Sequence, residues 1–145
     1  HMGTNNVTFY DVPGDARLNR IVRIVEAAWE RGKRLLIHCL DEDEAVALDG
    51  WLWSFQEEAF IPHERVAAGE RPEASDASVV LVWGEYDPIG AEVLLQAAPA
   101  TMAFAEQYGV VIDLVDHRTP DALHASRARY KAWCAVGVRT VHRKH

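Results

Sequence analysis

Residues 35–44 read Leu35-Leu36-Ile37-His38-Cys39-Leu40-Asp41-Glu42-Asp43-Glu44. The first six are continuously apolar instead of alternating, apart from His38, as in a strand covered on both faces. The four acids that follow suit the positive end of a helix dipole. Ala45, Leu48 and Leu52 then recur at helical spacing as an inner stripe, with Trp51 on its flank. Trp53 falls about 80° from Ala45, on the side away from Trp51, and should point off the stripe. A fully buried strand that feeds a helix is the unit of an α/β sheet.

The same unit repeats outward. Upstream, the short run Val7 to Tyr10 predicts a strand, and Pro13-Gly14-Asp15 breaks the chain. Asp15 is placed to cap a helix, whose stripe is Leu18, Ile21, Val22, Val25 and Trp29, and Gly32 ends it. Downstream, residues 64–78 read as a polar loop. Residues 79–83, 93–95 and 110–115 predict a third, fourth and fifth strand. A short helix is expected over 100–108. A last helix is expected over 120–136, opened by Pro120 and closed by Gly137. The fold class is α/β: a single three-layer α/β/α domain with a mostly parallel, five-stranded sheet. The third and fourth strands have no long helix between them, so an antiparallel pair there would make the sheet mixed. His1-Met2 reads as a tag remnant, which leaves residues 3–145 as one domain.

The 145 residues are 49% apolar and 26% charged, which excludes disorder. No apolar run approaches the ~18 residues of a membrane span. Two cysteines far apart in apolar contexts, Cys39 and Cys134, predict buried free thiols in a reduced, cytoplasmic protein. The net charge of −7 argues against coating nucleic acid with the whole surface. Its distribution is uneven. From His117 onward there are seven Lys/Arg against one acid, Asp121, so that segment is +6 and the rest −13. An acidic partner for the C-terminal part is the expectation.

Catalytic and metal motifs are not found. No G-x-G-x-x-G follows the first strand, and Gly32-Lys33 precedes a strand instead of a helix. Cys39 is surrounded by acids, the wrong sign for a reactive thiolate. No cofactor or metal is expected, and no active site. Two alternatives stay open. One is a small metal-dependent phosphoryl-transfer enzyme using Asp41, Asp43 and Asp113. The other is a direct nucleic-acid binder using the basic C-terminus, Arg139 to His145.

Two binding surfaces remain. On the last helix, Leu123, Tyr130 and Cys134 share one side, with Arg127 and Lys131 on its flank and Arg129 opposite, near Trp133. Two cations beside a half-buried aromatic suit an acidic peptide that ends in an apolar residue with a free carboxylate. The second surface is Trp51 to Pro62, where Trp53 and Phe60 are the aromatics most expected outside the core.

Several segments carry a family resemblance in order. They are Thr8-Phe9-Tyr10, Trp29-x-x-Gly32-Lys33-Arg34-x-Leu36-Ile37, Leu48-Asp49-x-x-Leu52-Trp53, Phe60-Ile61-Pro62-His63 and Arg129-Tyr130-Lys131-Ala132-Trp133-x-x-x-Gly137. Over about residues 7 to 138 the chain resembles the chi subunit of bacterial DNA polymerase III. The resemblance implies a non-catalytic accessory subunit in DNA replication. It would bridge the clamp-loader psi subunit, or a replacement, and the acidic C-terminal tail of single-stranded DNA-binding protein, touching DNA mainly indirectly. It carries the tail-binding positions onto Arg127, Tyr130 and Lys131, and the psi-facing region onto Trp53, Phe60 and Pro62. The family's tail site commonly has one more base where Leu123 and His124 stand here, and Arg118 is the candidate to compensate.

Overall fold

A computed structural model describes residues 3–55 and 60–144. The tag-like His1-Met2 lies outside the described residues. Seven strands build one sheet: β1 (Asn6–Tyr10), β2 (Leu35–His38), β3 (Glu64–Arg65), β4 (Val79–Val82), β5 (Val93–Gln96), β6 (Val110–Leu114) and β7 (Arg139–Arg143). Their spatial order is β3-β4-β2-β5-β6-β1-β7, and every pair is parallel. The helices are α1 (Arg17–Glu30), α2 (Glu42–Phe55), α3 (Met102–Ala105) and α4 (Pro120–Ala135).

All four residues of β2 are buried, and β2 lies between β4 and β5. The pleat sends alternate side chains to opposite faces. Leu35, Ile37 and Cys39 join α1 and α2 in one core, while Leu36 joins α3 and α4 in the other. The three-layer expectation holds, and no helix among the described residues is long and apolar enough to cross a membrane.

The sheet is wholly parallel instead of mixed. The third and fourth expected strands, β4 and β5, do not pair, because β2 separates them. The chain returns through residues 83–92 to enter β5 in the same direction. Asp87 organises that return: it accepts from the Ile89 and Ala91 amides at 3.0 and 2.8 Å and from the Tyr108 hydroxyl at 2.7 Å.

The two unexpected strands are both edges. Glu64–Arg65 is short and polar, inside the stretch read as loop, and Arg139–Arg143 is strongly basic. Charge on an edge strand deters further pairing, so neither carries an apolar run to betray it. Several smaller expectations are corrected. Ala16 stands at the N-cap of α1 without a side-chain bond, after a 3-10 turn over Gly14–Ala16, so Asp15 does not cap it. Trp29 is 39% exposed, and Ile24 and Ala28 take the inner positions of α1. The helix expected over 100–108 is only the four residues of α3, capped by Thr101. Cys39 is buried, but Cys134 is exposed, because α4 turns Ser126 and Trp133 inward.

The start of α2 matches its sequence. The Glu44 amide donates to Asp41 Oδ1 and the Leu40 amide to Glu44 Oε1, each at 2.9 Å. This reciprocal pair satisfies two otherwise orphaned donors. At the end of α4, Gly137 adopts φ +81°, a left-handed turn that suits glycine.

Candidate functional site

β1, β6 and β7 run side by side, so the residues just past β1 and β6 meet beneath α4. The result is an open cleft of about 320 Å³ that contains Arg127, Tyr130 and Lys131 together. Phe9, Val115 and Leu123 supply its apolar lining. The half-buried Tyr130 ring stands edge-on to Phe9, with centroids 5.4 Å apart, and forms one wall. Arg127 and Lys131 are exposed at the rim. Neither makes an ion pair among the described residues, so both are free to meet an anion.

Asp11, His117 and His142 complete the cleft and were not legible in the sequence. Both imidazoles donate to the Asp11 carboxylate, His142 at 2.8 Å. Partial burial pushes the Asp11 carboxyl up, but the two histidine bonds outweigh it and hold the group below its ordinary range. Asp11 and His117 follow β1 and β6, whose adjacency the sequence does not state. His142 lies on the unexpected β7.

Behind the cleft a buried network fixes α4. Arg129 forks onto Asp113, Nε to Oδ2 at 2.8 Å and a terminal nitrogen to Oδ1 at 3.0 Å. Gln96 and the Leu114 amide also donate to Asp113. Complete burial pushes the Asp113 carboxyl up, and the Arg129 guanidinium pulls against it. The phosphoryl-transfer alternative is not assembled: Asp41 caps α2 and Asp113 has its oxygens filled. No group of three His, Cys, Asp or Glu side chains among the described residues is arranged so that it could hold a metal ion. Burial, with Glu44 and Asp41 nearby, pushes the Cys39 thiol up to about 12, which suits a core residue. Arg118 does not reach the cleft. It forks onto Asp116 at 2.7 and 2.9 Å and lines a separate hollow with Arg17 and Arg129.

The second surface lies at the other edge of the sheet, where α2 meets β3. Trp53, 40% exposed, and Phe60, 72% exposed, pack with their rings tilted and centroids 4.9 Å apart, and Pro62 is exposed two residues on. Trp53 also lies over the buried His63 ring at 4.0 Å. The Asp49 carboxylate takes Arg65 at 2.9 Å and its backbone carbonyl accepts from His63 at 3.3 Å, so the platform under Trp53 is braced. Residues 56–59, within the aromatic stretch, lie outside the described residues.

The family model described as DNA polymerase III chi subunit, HolC, matches residues 4–140. The chain belongs to the DNA polymerase III chi subunit family. It is 34% identical to the DNA polymerase III subunit chi of Pseudomonas aeruginosa, with 90% of each chain covered. It is 32% identical to that of Escherichia coli K12, with 91% of this chain and 92% of the relative covered. With the Haemophilus influenzae subunit chi it shares 27% over 74% of its length. As a chi-family protein it is an accessory subunit of DNA polymerase III, and its work is DNA replication. The cleft on α4 and the Trp53 platform are thus two surfaces of a chi-family fold, toward opposite edges of the sheet.

Proposed function

We propose that this chi-family protein is a non-catalytic tether. It binds the acidic C-terminal tail of single-stranded DNA-binding protein in the α4 cleft, and the clamp-loader psi subunit, or a replacement, on the Trp53 face. The observation that carries the reading is the pairing of a small apolar cleft with two unpaired cations, Arg127 and Lys131, on its rim. Arg127 can take a terminal carboxylate with two parallel hydrogen bonds. An apolar terminal side chain then packs against Tyr130 and Phe9. The basic segment from His117 steers the acidic tail toward the cleft.

Exposed aromatics at Trp53 and Phe60, flanked by Pro62, offer large contact area at low entropic cost, as protein interfaces do. Tethering needs no chemistry. A weak contact repeated along coated DNA raises the local polymerase concentration.

The test is a titration against a short acidic peptide ending in Pro-Phe with a free carboxylate, read by fluorescence anisotropy. Saturable binding is expected, with loss on amidation of the terminus. Lys131→Glu should reduce affinity at least about tenfold, the effect of roughly 1.4 kcal/mol, with an unchanged circular dichroism spectrum. Unchanged affinity in that variant overturns the assignment of the site.

A further inference from the structure

On the side that α1 and α2 cover elsewhere, the three strands β6, β1 and β7 are only partly covered. Register partners in parallel strands share a face. Tyr10 and Arg143 are such partners, as are Asn6 and Arg139, and Thr8 and Val141. These residues and Val110 and Ile112 of β6 face the α1 side, and all of them remain partly or fully exposed. Between α1 and these strands runs a groove of about 420 Å³, floored by Tyr10, Val110 and Ile112.

Its lining charges are Arg20, Arg23, Arg31 and Lys33, with no carboxylate among them. Arg139 and Arg143 extend the positive surface along β7. Among the described residues, Arg34, Arg65, Arg118 and Arg129 each hold a carboxylate, whereas Arg20, Arg23, Arg31, Arg139 and Arg143 hold none. Three of the four lining cations, Arg20, Arg23 and Arg31, make no ion pair among the described residues. Glu92 takes Lys33 and Arg34 at one end, each at 3.5 Å, and Glu26 and Glu30 lie on the Arg23 flank of α1, about 60° and 20° from it, without pairing with these three arginines. Arg20 lies over the Tyr10 ring at 4.8 Å, which places its guanidinium at the floor without engaging its hydrogen-bond donors.

We propose that this groove binds the sugar-phosphate backbone of single-stranded DNA, separately from the tail-binding cleft on the opposite face. The cations form two banks. On α1, Arg20 to Arg31 spans roughly 16 Å at 1.5 Å per residue. On β7, Arg139 to Arg143 spans roughly 13 Å. Two cationic banks with an aromatic and apolar floor fit a flexible phosphate chain whose bases need no sequence-specific partner. Arginine dominance favours phosphate, which its fork can bind bidentately. The −13 carried by residues 1–116 keeps the contact local and weak, so it suits a protein already held near DNA.

The test uses the full chain and a fluorescein-labelled thymidine oligonucleotide of about 15 residues, read by anisotropy at about 50 and 200 mM salt. Saturable binding at the lower salt is expected, weakening steeply at the higher. Arg31→Glu/Arg143→Glu, both at exposed positions, should weaken it at least about tenfold, whereas Arg127→Glu/Lys131→Glu should change it less than about threefold. Arg20→Lys tests the floor while keeping the charge, and should weaken binding measurably. No saturable binding at the lower salt overturns the proposal, as does equal loss in the cleft variant. Equal competition by a poly-glutamate peptide of matched charge also overturns it, because the groove would then be a second acidic-peptide site. Since the cleft variant is the one that abolishes tail binding, failure here leaves the tail assignment standing.

Discussion

Arg127, Arg118 and Arg129 lie within twelve residues of each other and do three different things. Arg129 pairs inside with Asp113; Arg118 pairs at the surface with Asp116; Arg127 is exposed and makes no ion pair among the described residues. Helical spacing predicted the sides of α4 that Arg127 and Arg129 would take, but not which carboxylates would meet Arg129 and Arg118, because both acids come from β6 and its exit. The Arg118 fork holds the Asp116 carboxyl at about 2, below its ordinary 3.8. A depressed carboxyl stabilises the fold above its unfolded value and loses that contribution as pH falls through the folded one. Arg118→Ala should therefore cost about 1 kcal/mol at neutral pH. The difference from the unaltered chain should close between pH 4 and 2, as measured by urea unfolding across a pH series. A difference that persists unchanged at pH 2 would mean that Arg118 acts through packing instead of charge.

At the scale of elements, the acids of 41–44 illustrate a segment read correctly for a structural reason. Asp41 and Glu44 close a reciprocal cap around the first turn of α2. Asp41→Ala should lower stability by about 1 kcal/mol by denaturant unfolding, with tail binding unaffected. The cap sits where β2 delivers the chain and so helps set the direction of α2, which carries Trp53 to the platform over His63. The last helix was read less well. Cys134 was expected inside, but the inner positions are Ser126 and Trp133, because Arg129 must reach the buried Asp113 while Trp133 fills the core. The mixed apolar and charged content of α4 leaves its apolar face weakly marked, so tertiary contacts choose the rotation. Tyr130 and the flank of Arg127 and Lys131 still come out together, since they are neighbours on the helix whatever its rotation.

Across the whole molecule, the aromatic platform sits at the β3 edge and the α4 cleft beside β1 and β7 at the other. Six strand spacings of about 4.8 Å separate the edges by roughly 29 Å. Two partners seated there need not collide, and substitutions at one should not be felt at the other, since distant sites without shared partners act additively. Trp53→Ala should leave affinity for the acidic tail peptide within about twofold while abolishing capture of psi or its replacement, measured in parallel titrations. A large change in tail affinity in Trp53→Ala would mean that the two edges communicate through the sheet.

Periodicity alone was enough for the layered α/β architecture, the five interior strands and the grouping of Arg127, Tyr130 and Lys131 on neighbouring turns of one helix. Buried strands and helix stripes are local patterns, and Arg127, Tyr130 and Lys131, like Trp53, Phe60 and Pro62, are close in the chain. Tertiary structure decided what depends on strand order. It placed β2 between β4 and β5 and made the sheet wholly parallel. It added the charged edges β3 and β7, which have no apolar run because solvent meets one side of each. It also joined Asp11, His117 and His142 around the cleft, and Arg20 and Arg143 around Tyr10. Those residues stand as many as 131 positions apart. No local pattern encodes a contact that exists only once β1, β6 and β7 lie side by side.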